Sequence, residues 1–397
     1  MKQNFTTLPL NKINRRHFLR TLGAVTASLP LGLSTEVLAK TSNSNIRNHE
    51  FLISAQGNDN EHCGLGWIDP SIPFSRNLTS GFRGHGVAQH PHQPERIIMM
   101  ARRPGQCGIE MNLPNGHLRE RFSTQEYREF QGHACFSGDG KFLFTSEMDT
   151  TNGEGKIGRR DAETFAWLGE FDSYGIEPHE LKLMPDGITL VIANGGLLID
   201  TTDGRTTTNL ESMDSSLVYI NSFTGELIER HKLAESKASI RHLDVATDGS
   251  VAISMQVQRQ ALPHQEPIAL TAIHRQGQEI ALLDAPETLL LNLQDYIGSV
   301  VVHNKERIAA FTSPRGNLAL FWHCDTYQLL GYHAFHDVCG ITVSHDQRSF
   351  ILSNSNGELR YIDALTLQEQ KRRRLEFNAM HWDNHLLSVA LPTEKNS

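Results

Sequence analysis

Cysteine is scarce in this sequence and follows no recognisable metal-binding or disulfide pattern. The chain has five cysteines, an odd number, and no two of them form a C-x-x-C pair. This count and this spacing argue against both a disulfide framework and a zinc ribbon. At least one thiol is therefore expected to stay unpaired within the chain.

The signatures of familiar catalytic and cofactor sites are also absent. The chain contains no G-x-S-x-G, P-loop, H-E-x-x-H or C-x-x-C-H haem-attachment sequence. Asp-Gly pairs occur at 139–140, 186–187 and 248–249, but no EF-hand spacing follows them, so they indicate hairpin turns and not calcium loops. Any chemistry must come from residues that the fold brings together.

Excess positive charge and long apolar runs are lacking too. The formal net charge is −8 and no basic stripe is present, so nucleic acid is not an expected partner. The basic run K-R-R-R at 371–374 is expected on an outer strand, where it would block edge-to-edge pairing. The apolar stretch at 21–33 is too short for a comfortable membrane span, so the mature protein is expected to have none.

The N-terminal segment has the features of a twin-arginine export signal. The run N-R-R-H-F-L-R at 14–20 precedes the modest apolar stretch, and V-L-A follows before Lys40. An ordinary amphipathic N-terminal helix is the alternative interpretation. The signal predicts a periplasmic mature protein. The predicted divisions are the signal at 1–39, a linker at 40–50, a folded domain at 51–392 and a tail at 393–397.

What the chain does have is a repeated pattern. Each repeat gives a small or polar opener, an apolar alternation, an Asp-containing turn and a second apolar run that ends in small polar residues. The repeats span 132–149, 178–196, 241–256 and 339–357. A strand, a turn and a second strand recurring along a chain are typical of a β-propeller.

Weaker copies of the pattern bring the count to seven units. The openers are His85, His133, His179, His242, Gly298, Gly340 and a position near Asn378. The sequence therefore predicts an all-β, seven-bladed propeller of the YVTN or WD40 type, closed by N- and C-terminal strands that share one blade. In that blade, residues 377–382 are expected as the first strand, while 51–57 and 385–391 compete for the second place.

Several motifs, in order along the chain, resemble those of one bacterial family. They are G-H-G at 84–86, A-R-R-P-G at 101–105, G-H-A-C-F-S-G-D-G-K at 132–141, G-I-E-P-H-E-L-K-L-M-P-D-G at 175–187, A-N-G-G at 193–196, S-I-R-H-L at 239–243, S-P-R-G at 313–316, D-V-C-G at 337–340 and W-D-N-H at 382–385. From about residue 50 onward the chain resembles the family called domain of unknown function 1513. The resemblance implies an exported seven-bladed propeller, often encoded near imelysin-type and dihaem-peroxidase-like proteins in iron-related gene clusters. It implies periplasmic, imelysin-like partners and leaves the activity open.

The openers of four successive blades form the candidate metal site. Inner strands begin on one face of a propeller, the top face, so His85, His133, His179 and His242 should form an arc around the channel mouth. Imidazole is a common transition-metal ligand, and with Glu180 the arc would suit iron or copper. Two alternatives remain: the histidines lock neighbouring blades through hydrogen bonds, or they act as general acids and bases.

The ends of the second strands return to the same mouth and add a polar rim. The candidate ligand-binding residues there are Arg102, Arg103, Glu147, Asn194, Gln256, Arg315 and Asn354. Guanidinium groups favour carboxylate or phosphate ligands. A smaller metal site is also conceivable from H-C-D at 323–325 and H-A-F-H-D at 333–337 with Cys339.

Three functions fit these patterns. The leading hypothesis is a non-catalytic periplasmic binding or scaffold propeller that captures a ligand or partner in an iron-related pathway. The alternative is a metal-dependent redox or lactonase-like hydrolytic enzyme that uses the histidine arc. The third is a protein-interaction platform with an inert channel. Metal content would separate the first two hypotheses from the third.

Overall fold

The computed structural model describes residues 48–57, 63–72, 74–200 and 206–392. The predicted signal at 1–39 and the predicted tail at 393–397 lie outside the described residues. Residues 46–397 form one compact unit. Almost all of its regular structure is β-strand, arranged as seven four-stranded antiparallel sheets. The predicted seven-bladed propeller is confirmed.

The strands follow one another along the chain in groups of four after an initial group of three. The initial strands are β1 (Asn48–Gln56), β2 (Gly64–Ile68) and β3 (Ser75–Thr79). Blade 1 has β4 (Gly84–Gln89), β5 (Arg96–Ala101), β6 (Cys107–Asn112) and β7 (His117–Ser123). Blade 2 has β8 (Arg128–Phe136), β9 (Phe142–Asp149), β10 (Gly155–Asp161) and β11 (Trp167–Asp172). Blade 3 has β12 (Pro178–Leu183), β13 (Thr189–Asn194), β14 (Ser216–Asn221) and β15 (Leu227–His231).

The second half of the ring repeats this arrangement with one short helix. Blade 4 has β16 (Ala238–Val245), β17 (Val251–Val257), β18 (Thr271–His274) and β19 (Ala281–Leu282). Helix α1 (Glu287–Asn292) follows, and short 3₁₀ helices lie at Arg259–Ala261 and Lys371–Arg373. Blade 5 has β20 (Ser299–His303), β21 (Ile308–Ser313), β22 (Leu318–His323) and β23 (Leu329–Ala334). Blade 6 has β24 (Val338–Val343), β25 (Ser349–Asn354), β26 (Glu358–Asp363) and β27 (Leu375–Glu376), and β28 (Leu387–Pro392) ends the described chain.

The seventh blade joins the two ends of the described chain. Its strand order is β28-β1-β2-β3, and β28 pairs with β1 from Asn48 opposite Pro392 to Ile53 opposite Leu387. The predicted closure by terminal strands is confirmed. The expected first strand at 377–382 is wrong, because Met380 and Trp382 are buried in a loop that packs against blade 6, and β28 is the innermost strand.

The innermost strands of the seven blades surround a central channel. Each of them contacts the innermost strand of the next blade, and β28 contacts both β24 and β4. The second strands are almost entirely buried, and all six residues of β5 and β13 are inaccessible to solvent. Apolar side chains between neighbouring blades, such as Phe144 of blade 2 against Leu190 of blade 3, form the core. This packing makes a rigid wall around the channel.

In the Asp-Gly turns between first and second strands, the Asp side chain accepts a hydrogen bond from the backbone of the same turn. Gly140, Gly187 and Gly249 have φ angles of 71°, 72° and 85°, which glycine adopts without strain. The Oδ1 of Asp186 accepts a hydrogen bond of 2.8 Å from the backbone N–H of Ile188, and Asp139 and Asp248 make the equivalent bond. Along the described residues, no helix is long and apolar enough to cross a membrane.

Candidate metal centre

Five imidazole rings from five adjacent blades meet in the channel. His85, His133, His179 and His242 lie on the innermost strands β4, β8, β12 and β16. The fifth, His385, lies two residues before β28. Among these rings, nine of the ten pairs have centroids between 4.5 and 5.7 Å apart. The four predicted histidines are therefore brought together, and His385 contacts three of them, His85, His133 and His242.

A β-bulge in each of β4, β8, β12 and β16 directs the histidine side chain of that strand into the channel. The pairing register with the second strand shifts between Gly84 and Val87 in β4, and similar shifts occur in β8, β12 and β16 around their histidines. Bulges re-aim side chains and are frequent beside functional sites. Close contact also explains the glycines of the G-H-G motif, because a Cβ on Gly86 would lie only 2.7 Å from His133 Nδ1.

Four of the five histidines can direct nitrogens at a common centre. One ring nitrogen from each of His85, His133, His242 and His385 lies within 4.8 Å of the other three. Four nitrogens bound to an ion at about 2.1 Å in a tetrahedron are roughly 3.4 Å apart. Small side-chain rotations would bring the cluster to that spacing. We call these four residues the histidine centre.

The imidazoles are buried, yet several of their nitrogens have no protein partner. His85, His133 and His242 are 5%, 5% and 1% exposed. Both nitrogens of His85 and the Nε2 atoms of His133 and His385 make no hydrogen bond within the described residues. Leaving such a group unpaired costs about 1–3 kcal/mol. A bound ion would satisfy these nitrogens.

Histidines that lock blades together are present elsewhere and look different. His90 Nε2 pairs with the carbonyl oxygen of Gly140 at 3.0 Å, which joins blade 1 to the turn of blade 2. His303 Nε2 pairs with the carbonyl oxygen of Gln347 at 3.0 Å and joins blade 5 to blade 6 in the same way. Within the described residues, the rings of the histidine centre make no such bond to a backbone carbonyl. Their hydrogen bonding therefore differs from that of His90 and His303.

Glu180 lies behind the imidazoles, not among the four nitrogens that converge. Its Oε2 is 3.2 Å from His242 Nδ1 and accepts a 3.1 Å hydrogen bond from the Leu243 backbone N–H. Its Oε1 is 3.6 Å from His133 Nδ1. A carboxylate against Nδ1 turns Nε2 toward the centre and raises its basicity as a ligand. The structure thus gives Glu180 an orienting position.

His179 and His385 occupy unequal positions. The His179 ring is 4.7 Å from that of His242, and its Nδ1 is 3.7 Å from Glu177 Oε1, but its nitrogens do not belong to the converging group of four. His385 does belong to it, although sequence reasoning did not select it. The signal was available, since W-D-N-H at 382–385 precedes an apolar run, and the misplaced first strand of the closing blade concealed it.

Burial keeps these imidazoles neutral. Loss of hydration lowers the pKa of His85, His133, His179 and His242 well below 6.5, and the positive charge of neighbouring side chains adds to this in each case. For His385, burial lowers the pKa to about 3. Only neutral imidazole binds a metal ion. The centre therefore stays in its metal-binding form across the physiological pH range.

The predicted rim residues divide into buried and mouth positions. Glu147 is buried inside blade 2, where Thr145 Oγ1 donates to it at 2.6 Å. Asn194 Nδ2 donates to the Ser173 carbonyl oxygen at 2.9 Å, and Asn354 Nδ2 donates to the His336 carbonyl oxygen at 3.2 Å. The predicted residues Arg102, Arg103, Gln256 and Arg315 are exposed or half-buried. Arg315 stacks over the Tyr296 ring at 4.7 Å.

Two other groups of candidate metal ligands differ from the histidine centre: Glu229 with His231 and His274, and the predicted group around 323–325, 333–337 and Cys339. Glu229, His231 and His274 lie together in the space between the outer parts of blades 3 and 4, but His274 is bonded through Nδ1 to Tyr219 Oη at 2.6 Å and through Nε2 to the Gln278 carbonyl oxygen at 2.8 Å. In the second group, Cys339 Sγ donates to the Asp337 carbonyl oxygen, and within the described chain it joins no cluster of metal-ligating atoms.

Comparison with known proteins agrees with the fold and the motifs. The model of the family described as protein of unknown function (DUF1513) matches residues 79–389. The chain belongs to this family. The match spans the innermost strands β4 to β24 and reaches His385, so the whole histidine centre lies in the DUF1513 region.

Among solved structures, one match is the hydrazine synthase of Kuenenia stuttgartiensis. Its TM-score is 0.57 at 14% identity, over 73% of this chain and 86% of that one. At this identity the likeness supports the propeller fold alone. No curated protein matches the chain in sequence.

Proposed function

We propose that this protein binds one transition-metal ion at the histidine centre and acts as a metal-binding propeller. The observation that carries the proposal is the convergence of four imidazoles, three buried and one half-buried, of which His85, His133 and His385 have nitrogens without a hydrogen-bond partner in the described residues. A donor set made only of imidazole suits iron, copper, nickel or zinc more than magnesium or calcium, which prefer oxygen. We take iron or copper as the physiological ion.

The biological setting that we propose is periplasmic and related to iron. Arg15 and Arg16 ahead of a weak apolar stretch support export, and the resemblance to DUF1513 members encoded near imelysin-type proteins supports the iron pathway and a partner of that kind. In this setting the protein captures an ion, a metal-bound ligand or a partner at the mouth of the channel.

A second candidate function is a metal-dependent enzyme acting on a small molecule. A cavity of about 310 Å³ lies in the channel, and its lining includes three residues of the histidine centre, His133, His242 and His385. Ligand sites start at about this size. A redox or hydrolytic reaction would then take place at an ion that the cavity exposes to substrate. Turnover of candidate lactones or metal-dependent oxidation separates this function from simple binding.

The test is removal of single ligands. His85→Gln and His242→Gln should each lower the affinity for Cu²⁺ or Fe²⁺ by at least a hundredfold, because each removes one of four donors, while an outer partner alone is typically worth about 10–100-fold. His117→Gln is the matched control, since His117 is exposed on the outer strand β7. Metal per chain is measured by elemental analysis after dialysis. A parent protein without a stoichiometric ion, or both variants binding like the parent, would contradict the proposal.

A further inference from the structure

Four arginines gather on the top face, above the histidine centre. Arg83 precedes β4, Arg102 and Arg103 follow the end of β5, and Arg241 adjoins His242 in β16. All lie where the innermost strands begin, on the same side as the imidazoles. The backbone N–H of Arg102 donates to the carbonyl oxygen of Arg83 at 2.9 Å, and the side chains of Arg103 and Arg241 share one carboxylate, that of Glu177.

The carboxylates found here do not balance these arginines. Glu177 Oε1 accepts hydrogen bonds from both Arg103 and Arg241, the latter at 2.5 Å. Asp383 pairs with Arg83 at 3.0 Å. The Arg102 guanidinium forms no hydrogen bond or ion pair within the described residues. Three of the four arginines therefore share two carboxylates, and the fourth, Arg102, adds a positive charge without a paired carboxylate among the described residues.

The imbalance is costly because part of it is buried. The Arg103 and Arg241 side chains are 18% and 6% exposed, and their shared partner Glu177 is 1% exposed. Burying a cation without an equal opposing charge disfavours the fold. An anion between the guanidinium groups would relieve this cost.

The opposite side of the centre has the reverse charge. Along the innermost strands, Lys182 lies between two carboxylates, with its Nζ 2.8 Å from Asp244 Oδ1 and 4.0 Å from Glu180 Oε1. All three side chains line the channel cavity. This side therefore suits a cation, and the top face suits an anion. The two faces of the centre are electrostatically distinct.

We propose that Arg102, Arg103 and Arg241 form a binding site for a small oxyanion, of the carboxylate or phosphate class, next to the metal ion. The inference rests on the proposed metal site and names the ligand that accompanies the ion. Guanidinium groups form paired hydrogen bonds with both kinds of anion. The exposed Arg102 makes the first contact with the anion. The less exposed Arg103 and Arg241 then fix the orientation of the bound anion. A bound ion, which adds positive charge below the anion, strengthens its binding.

The experiment titrates inorganic phosphate and, separately, oxalate into metal-free and Co²⁺-loaded protein by calorimetry. At least one of the two anions should bind both forms, at least tenfold more tightly to the loaded one. Arg102→Gln should weaken that binding at least tenfold while leaving Co²⁺ stoichiometry unchanged. The exposed Arg372, in the 3₁₀ helix of blade 6, gives the control variant Arg372→Gln, which should bind like the parent. The preferred anion tells a carboxylate site from a phosphate site.

Two outcomes would overturn the inference: neither anion binds in either form, or Arg102→Gln binds both like the parent. Failure of the metal proposal would look different. In that case Co²⁺ does not bind, yet the metal-free protein still binds an anion and Arg102→Gln still weakens it. That result would support the oxyanion site alone.

Discussion

At the scale of single residues, the buried histidines of the described chain include two kinds that differ in their hydrogen bonding. His90 and His303 each spend a nitrogen on a backbone carbonyl of the next blade and so contribute to the fold. His85 has no such partner for either nitrogen. A buried imidazole of the second kind is kept at a cost in stability, which a metal ion would offset by binding only the native state.

This cost predicts acid sensitivity of the metal-free protein. The native pKa values of the five channel histidines lie below the unfolded value of about 6.5. Below that pH the unfolded chain takes up protons that the native protein refuses, so stability is complete above pH 6.5 and is lost as the pH falls. The slope is about 1.4 kcal/mol per pH unit for each imidazole that stays neutral.

Urea unfolding of metal-free protein at pH 7.5, 6.0 and 5.0 measures this dependence. His85→Gln should flatten it by about one proton, whereas the exposed His117→Gln should not. Equal stability at all three pH values would show that the imidazoles titrate normally. The same lowered pKa values predict that protons compete with a metal ion for these nitrogens only well below pH 6.5.

At the scale of elements, strand β28 closes the ring. It is the innermost strand of the closing blade, and Val389 and Leu391 are buried against Phe51 and Ile53 of β1. Its pairing with β1 removes the free edges that an open array of blades would expose. It begins two residues after His385. Closure of the ring and completion of the histidine centre therefore depend on the same C-terminal segment.

Deleting residues 386–397 should therefore lower the melting temperature sharply, with loss of metal binding in the same variant. Removal of β28 exposes Phe51 and Ile53 and leaves one edge of the β1 backbone unpaired, while the other edge keeps its pairing with β2. A deletion of 393–397 alone removes only residues beyond the end of β28 and serves as the control. Calorimetric melting of the two truncations gives the result. If the longer deletion melted within a few degrees of the parent, the closing role of β28 would be disproved.

At the scale of the whole molecule, the repeats were sufficient to predict the fold. They did not predict the strands of the closing blade correctly. Alternating apolar residues and Asp-Gly turns identify paired strands wherever they occur together, and the seven units were found in this way. Near the C-terminus, F-N-A-M-H-W has the same apolar spacing as a strand, but Met380 and Trp382 fill the space between blades 6 and 7 from a loop. Spacing does not distinguish these two uses of an apolar residue. His385 was missed for this reason.

The charge of the site could not be predicted for a related reason. Arg241 adjoins His242 within the bulge of β16, and its pairing with Glu177 joins residues that are 64 positions apart. Bulges change which side chains face the channel, and no local pattern in the sequence marks them. Glu147 shows the opposite error, since it ends a second strand as the repeat requires and yet is buried inside its own blade.

The closed ring also bears on the export route that we propose for this protein. Because β28 is the last described strand and the innermost strand of its blade, the propeller closes only after almost the whole chain has been made. A route that carries folded proteins suits such a molecule, and we propose twin-arginine export on the basis of Arg15 and Arg16.

Replacing both arginines by Lys should leave the precursor in the cytoplasm in a folded, protease-resistant state. Fractionation of cells with immunodetection measures this, and Lys2→Arg, which keeps the charge outside the pair, is the control. Arrival of the doubly substituted protein in the periplasm would show that another route carries it.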